Sequence, residues 1–521
     1  MRCHLVDSLE WTYPDSNVPD KPVTALSVDV ARGGTAACQV LVAEAAGSVR
    51  VRVEADGGQV FRLVDVPVEV NTGPVGFIEK PDGKRNRHVT RRAPFRVYDA
   101  MAPLRGPAPP GAAAIRAFRA QVAVSRSARP GRRQWRIVVS DARQSLALTL
   151  SANVFPVRVP PVSGASLKYT NWFSLGNMAD RHGLAPWSGP HWRMIRRYAE
   201  LMVRGRQNMF WLTMGDVFET AARRPRLNVS RLERLVKVFT GAGMYYIEGP
   251  HFAHRLNGDW NATRFAVATA PKIPATGPEG VRHVAIIARQ LQAQIDRHDW
   301  RGRWVQHVAD EPSDGNADDY RILAGMIRKH MPGVRIIEAT MCKSVVGSVD
   351  IWVPKNCDYE CDREFFAGQQ ALGDEVWHYT CCFPGGPYLN RLLDGELLRP
   401  CLLHWGNARY DLPGFLHWGL NHYKPDQDPF RQNVVDHGGG NSLPAGDTHV
   451  VYPGADGPWS SMRFEAQREG AEDYELLRIL RQKAPRRAAA VLRKVIRSFK
   501  EYTLDVKVFR KARRELLSAL R

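Results

Sequence analysis

Leu167-Lys168-Tyr169-Thr170-Asn171-Trp172 reads as a short β-run, and an apolar period of 3.6 follows it from Trp192 to Val203. The same pairing then recurs. Met209-Phe210-Trp211-Leu212-Thr213 precedes a helical pattern from Arg231 to Phe239, and Met244-Tyr245-Tyr246-Ile247-Glu248 precedes a long one carrying Val284, Ile287, Ala288, Leu291 and Ile295. Trp304-Val305-Gln306-His307-Val308-Ala309-Asp310 leads into a helix from Ala317 to His330. Arg335-Ile336-Ile337-Glu338, Ile351-Trp352-Val353, Glu375-Val376-Trp377-His378-Tyr379 and Gly414-Phe415-Leu416-His417-Trp418 bring the count to eight. Eight strands with intervening helices predict a (β/α)8 TIM-like barrel over residues 161–425. The helix hardest to place lies between Thr380 and Leu412.

On the N-terminal side of this run the rhythm has period two. Ser48 to Glu54, Val64 to Val70, Gln134 to Val139 and Leu146 to Leu150 alternate as half-buried strands do, separated by Gly, Pro and Asp turns. Residues 1–160 therefore read as a β-sandwich, and Pro156 to Ser166, with Pro160-Pro161 and Gly164, as its exit linker. On the C-terminal side, residues 426–521 read as a small extension with a Gly-rich loop (His437 to Gly440), a strand-like run (Thr448 to Tyr452) and basic helices. The fold class is multidomain β and α/β.

The 521 residues are 44% hydrophobic and 24% charged, a composition that excludes disorder. No stretch reaches the roughly 20 apolar residues of a membrane helix. The N-terminus lacks an export signal, so the chain reads as soluble: cytoplasmic if Met1 begins the natural protein, periplasmic or secreted if a leader was removed. The formal charge is +20, and 58 of the 73 basic residues are Arg. The stretch Arg486 to Arg521 alone holds 12 basic and 3 acidic residues, on a helical pattern through Val491, Val495, Phe499 and Tyr502. We read it as a solvated helix face, with no specific nucleic-acid partner. The eight cysteines form no CxxC pair, and His378-Tyr379-Thr380-Cys381-Cys382 matches no usual zinc spacing, so no metal, cofactor or disulfide framework is expected.

In barrels the working residues stand at the C-terminal ends of the strands. Those ends carry Asn171 and Trp172, Asp216, Glu248 and His251, Asp310 and Glu311, Glu338, Trp377 and Tyr379, and Trp418 with Asn421. Aromatic rims with carboxylates suit a sugar, whose C–H face stacks on rings while its hydroxyls need polar partners. Asp310-Glu311-Pro312 is the sharpest feature. Two neighbouring carboxylates after an apolar strand repel one another, which separates an acid from an ionised group. A conventional retaining glycosidase needs carboxylates about 5 Å apart on opposite sides of the anomeric carbon, which adjacent residues do not easily straddle. A catalytic pair here therefore asks the substrate for its own nucleophile. The structural alternative is that Asp-Glu-Pro caps and turns into the helix from Ala317.

Taken in order, these pieces resemble family 123 of the glycoside hydrolases. The resemblance rests on Thr170-Asn171-Trp172-Phe173, Trp187-Ser188 with His191-Trp192, Asp310-Glu311-Pro312, and Trp377-His378-Tyr379-Thr380-Cys381. It continues through Pro387-Tyr388-Leu389-Asn390, Gly414 to Trp418 with Asn421, Tyr452-Pro453-Gly454, and Arg468 to Glu475. It implies a β-N-acetylgalactosaminidase, acting on an N-acetylgalactosaminide, glycan or glycoconjugate through an oxazoline intermediate. Asp310 would orient the acetamido group and Glu311 would be acid and then base. The resemblance and the strand-end reading together put Trp172, His251, Trp377, Tyr379 and Trp418 around the sugar, with Asn171, Tyr388 and Asn421 as hydroxyl-binding candidates.

Three places depart from the pattern: His417, where an aromatic residue would precede Trp418, the segment Phe252 to Gly280, and the segment His437 to Asp447. Two other readings stay open. One is a conventional glycosidase pairing Glu311 with Asp216, Glu248 or Glu338. The other is a non-catalytic protein that binds carbohydrate or an anionic polymer.

Overall fold

The computed structural model describes residues 1–111, 113–219 and 224–521. Two sheets occupy the first 160 residues. The first runs Arg2–Asp7, Thr35–Ala43, Ile115–Ala123, Gly58–Val68, Phe95–Pro103, antiparallel throughout. The second runs Ala25–Arg32, Ser145–Arg158, Gly131–Ser140, Arg50–Glu54, with its first pair parallel. Val40 and Phe118 of one sheet and Val30, Ile137 and Leu150 of the other are buried in a single core. Period-two alternation makes this possible, because it delivers every second side chain to the same face.

From Lys168 eight parallel segments follow in chain order: Lys168–Asn171, Met209–Trp211, Tyr246–Gly249, Trp304–Gln306, Arg335–Glu338, Ile351–Trp352, Glu375–Thr380 (interrupted at Trp377) and Gly414–His417. From the second onward each pairs with the next, and the last pairs with the first, Lys168 opposite Gly414. Between first and second the link is Asn208, whose backbone N–H donates to the Tyr169 carbonyl at 3.2 Å. We call this closed set the ring.

The helices around it start on local signals. Ser188 caps Gly189–Arg204 by accepting from the His191 amide. The unplaced helix between Thr380 and Leu412 is Leu398–Tyr410. Met462–Lys483 lies on it so closely that a Cβ at Gly470 would stand 2.1 Å from the Cys401 carbonyl oxygen. Between the fifth and sixth strands, among the described residues, there is only the 3-10 turn Lys343–Val345.

The C-terminal part differs from expectation in two ways. Two hairpins (Val435–Gly438 with Asn441–Leu443, and Tyr452–Gly454 with Gly457–Trp459) replace a strand at Thr448 to Tyr452. The basic stretch is two helices, Pro485–Val495 and Val506–Ala519, and the second is not a solvated face. Arg510 pairs with Asp7 and Arg514 with Asp29 at 2.7 Å, which fastens the C-terminus to the N-terminal sheets, and Arg513 pairs with Asp473 of the helix Met462–Lys483 at 2.9 Å. Among the described residues, no helix is long and apolar enough to cross a membrane.

Candidate active site

The fourth ring strand ends at Gln306, and the chain then runs His307-Val308-Ala309-Asp310-Glu311 into a cleft of about 790 Å³. Glu311 has φ +46°, the left-handed region that a side chain enters at a cost of order 1–3 kcal/mol, so the surroundings must hold it. Arg255 does so. It donates to the carbonyls of Asp310 at 2.9 Å and Glu311 at 2.6 Å. Neither carboxylate is spent as a helix cap, because Ser313 and Asn316 form the capping box that leads into Ala317–His330.

Beneath the pair lies a buried polar network. His307 hydrogen-bonds Glu248 through Nε2 at 2.7 Å and Glu338 through Nδ1 at 2.9 Å. Burial opposes a charge on His307, but the two carboxylates outweigh it and raise the imidazole to about 10. Burial likewise opposes the Glu338 charge, and His307 with His251 overcomes it, bringing Glu338 down to about 2. The second oxygen of Glu338 accepts the backbone amides of Val308 and Ala309 at 3.0 and 3.2 Å, which fixes the chain just before the acidic pair. Glu248 accepts from the Trp172 indole at 2.7 Å and the Thr170 hydroxyl at 2.7 Å.

Asp310 itself is pushed up to about 8, first by burial and then by the Glu311 and Glu338 charges. Tyr379 donates its hydroxyl to Glu311. Trp172 stacks on Trp211 at 4.7 Å to make the floor. Trp418, whose indole donates to Asp447 at 3.2 Å, stands in the wall, and so does Lys355.

Of the residues expected from sequence, Asp310, Glu311, Trp172, Tyr379 and Trp418 line this cleft. The others do not. Trp377 is completely buried, one layer below Tyr379 on the same strand face, with its indole donating to Glu375 at 2.6 Å and its ring packed where Gly414 leaves room. Asn171 gives its amide to the Tyr169 hydroxyl and takes a bond from Arg391 at 2.8 Å. Asn421 is paired with both the N–H and the C=O of Ser174. Tyr388 borders a separate small hollow beside Thr72 and Asn86. His251 is buried behind the floor, its ring edge-on to Trp172 at 5.3 Å. Trp377, Asn171 and Asn421 spend their polar groups in the interior, so none of these three is left to meet a ligand.

Sequence reasoning missed Lys355, although it lies just beyond the sixth strand, where the strand-end rule applies. It also missed Phe77, Trp260 and His437, which come from loops outside the ring. Two of the departing segments prove to be cleft walls. Phe252 to Gly280 carries a three-stranded insert (Ala253–Arg255, Phe265–Val267, Ala270–Pro274) with Asp259, Trp260 and Asn261 facing the cleft, and the His437 hairpin faces it too. His417, the third departure, is buried and accepts from Arg391 at 2.7 Å.

Among the described residues one group could hold a metal: His251, His307 and Glu338, with donor atoms within 4.8 Å of one another. His307 already uses both of its nitrogens on Glu248 and Glu338, so an ion would have to displace the proton shared with Glu338.

The family model described as "Glycoside hydrolase 123, catalytic domain" matches residues 227–480. A family 123 glycoside hydrolase from Clostridium perfringens, studied for glycolipid glycan hydrolysis, superposes with a TM-score of 0.75 at 13% identity, over 100% of this chain and 98% of that one. A termite-gut GH10 xylanase containing a bacterial Ig-like domain gives a TM-score of 0.34 at 11% identity, over 69% of this chain and 90% of its own. No curated protein matches the chain. With an aromatic cleft and an acidic pair at a strand end, the chain is a glycosidase. More narrowly, it is a glycoside hydrolase family 123-like protein.

Proposed function

We propose that the protein removes β-linked N-acetylgalactosamine from a glycan or glycoconjugate by a retaining, substrate-assisted route. The acetamido carbonyl oxygen attacks C1 while the bond from C1 to the leaving oxygen breaks, and Glu311 protonates that oxygen. Asp310 accepts a hydrogen bond from the acetamido N–H and balances the positive charge of the oxazolinium intermediate. Water, deprotonated by Glu311, then opens the ring at C1. Trp172, Tyr379 and Trp418 surround the sugar. We assign the chemistry to a (β/α)8 barrel over 161–425, with a β-sandwich at 1–160 and an extension at 426–521.

The observation that carries this reading is that, among the described residues lining the cleft, no carboxylate besides Asp259 accompanies the pair. Glu248 and Glu338 are committed to His307, and Asp216 is committed to the Thr213 hydroxyl at 2.6 Å in a capping box. The remaining carboxylate on the cleft among the described residues, Asp259, sits on the rim with one oxygen accepting the Asn261 amide at 2.9 Å. The description of the Clostridium perfringens enzyme as acting on glycolipid glycans supports a glycan substrate. A panel of p-nitrophenyl β-glycosides tests the proposal. The N-acetylgalactosaminide should be cleaved and the galactoside, which lacks the acetamide, should not. Equal turnover of both would refute substrate assistance, and turnover of none would favour a non-catalytic binder.

A further inference from the structure

We propose that a cationic groove on the outer wall of the ring, apart from the cleft, binds a sulfated glycan chain. The groove lies between two helices packed side by side, Gly189–Arg204 and Val229–Ala242, and encloses about 610 Å³. These helices follow the first and second ring strands, so the groove runs down the wall from the end of the ring that carries Asp310. Arg193 and Arg196 line one side, Arg234 and Lys237 the other, and all four are exposed. Among the described residues none of the four makes an ion pair, and the one carboxylate on the lining, Glu233, is taken by His298 at 2.9 Å. Arg193 with Arg196, and Arg234 with Lys237, stand three residues apart, a spacing at which like charges oppose a helix. The two repelling pairs then face each other across one slot. An Arg-rich composition by itself spreads cations over convex surface, where water separates them. Four unpaired cations in one concavity make a field that an anion relieves.

The shape selects among polyanions. Packed helices stand about 8–10 Å apart, so the slot admits one polymer strand. A DNA duplex, whose major groove alone is about 12 Å across, rides over it, and a flat membrane surface meets only its rims. A single nucleic-acid strand needs open rings on which its bases stack. The one ring on the lining, Trp192, is 7% exposed and its face is covered by the Arg234 guanidinium, 4.3 Å from the centroid. That contact stiffens Arg234 and leaves its N–H edge for a planar, bidentate grip on an oxyanion. An extended acidic peptide brings N–H and C=O groups of its own, which two helix flanks do not pair. A glycan with sulfates on successive sugars brings a dense line of charge and keeps its hydroxyls in water. That the polymer is a glycan rests on the glycosidase reading above, since an enzyme that trims a polymer gains from a second grip on it.

The test is binding of dextran sulfate, with unsulfated dextran as the blank, measured by isothermal titration calorimetry at physiological salt. The wild type should bind the sulfated chain alone. Arg193→Ala with Arg234→Ala, one change on each side of the groove, should weaken binding at least about tenfold, because hydrogen bonds to charged groups are lost. Arg196→Ala with Lys237→Ala should do the same, which keeps the test sound if the first pair disturbs Trp192. Arg132→Ala with Arg143→Ala removes the same charge from exposed positions of the N-terminal unit and should change binding by less than about twofold. Equal losses in the groove pairs and the control pair would overturn the proposal, because net charge alone would then attract the polymer. Absence of binding in the wild type would overturn it too. So would tighter groove-dependent binding of oligothymidylate, polyglutamate, polygalacturonate or anionic vesicles than of dextran sulfate. None of these readouts involves turnover, so groove-dependent binding alongside a failed glycoside panel would remove only the donor-sugar reading, and the converse result only the groove.

Discussion

Tyr379, from the seventh ring strand, donates its hydroxyl to the carboxylate of Glu311, which follows the fourth. The contact joins two segments on different sides of the ring and sets the direction in which the Glu311 oxygens point. Hydrogen bonds to charged groups are worth about 1.5–3 kcal/mol. Tyr379→Phe keeps the ring and removes only the donor. Its kcat/KM should therefore fall roughly 10- to 100-fold, with the fold intact by circular dichroism. Wild-type kinetics in this variant would mean that the hydroxyl does not orient the acid.

The acid role proposed for Glu311 predicts a dependence on the leaving group. In Glu311→Gln, hydrolysis of the methyl glycoside should drop by about 10²–10⁴, the usual worth of general acid catalysis. A dinitrophenyl glycoside, whose leaving oxygen needs little protonation, should lose much less. Equal losses on the two substrates would count against the assignment.

The pH profile follows from the coupling of Asp310 to its neighbour. Burial, Glu311 and Glu338 raise Asp310 to about 8, so below that pH the pair carries one proton and above it the pair loses that proton. The proposed step needs the proton for the leaving oxygen. kcat/KM should therefore hold on the acid side of pH 8 and decline on the alkaline side. A profile that instead climbs through pH 8 would mean that only the doubly ionised pair works.

The basic C-terminus makes a prediction about stability. Arg513 and Asp473 are both buried, and removing one partner of such a pair typically costs about 3–5 kcal/mol, because the other charge stays buried and alone. Arg513→Ala should lower the urea midpoint accordingly, whereas Arg497→Ala, on an exposed site, should change stability by less than about 0.5 kcal/mol. With Arg510, Arg513 and Arg514 engaged inside the chain, DNA binding should be weak and should disappear by physiological salt. DNA binding that withstands salt would contradict this.

The ring strands and the acidic pair were legible in the sequence because both are local. Period two, period 3.6 and the position of a polar residue after an apolar run all survive without knowledge of neighbours. Trp377 shows where this stops. It shares a strand face with Tyr379, and periodicity cannot tell the upper layer of a ring from the layer beneath; the deciding contact is with Gly414, on another strand. Asn171 and Asn421 read as hydroxyl binders because their partners, Arg391 and Ser174, lie 220 and 247 residues away. Phe77, Trp260 and His437 carry no pattern of their own, since only the closure of separate loops over the ring brings them together.

In the proposed mechanism, adjacent carboxylates leave one face of the anomeric carbon to the substrate, and this is the point most open to direct attack. The acetamide of a bound N-acetylgalactosamine can reach its own C1, and an intramolecular nucleophile held in place lowers the barrier by about 7–11 kcal/mol in the best cases. A thiazoline analogue of the sugar mimics the bicyclic intermediate and should inhibit at least 100-fold better than the free sugar, as ligands close to the transition state do. Asp310→Asn should weaken that inhibition along with turnover, because a neutral amide no longer balances the cationic ring. Asp259→Asn should leave thiazoline inhibition in place, since Asp259 lies on the rim. If Asp259→Asn instead abolished turnover and mass spectrometry found a glycosyl ester on Asp259 of the wild type, the enzyme would be a conventional retaining glycosidase, and the acetamide would be a recognition element rather than the nucleophile.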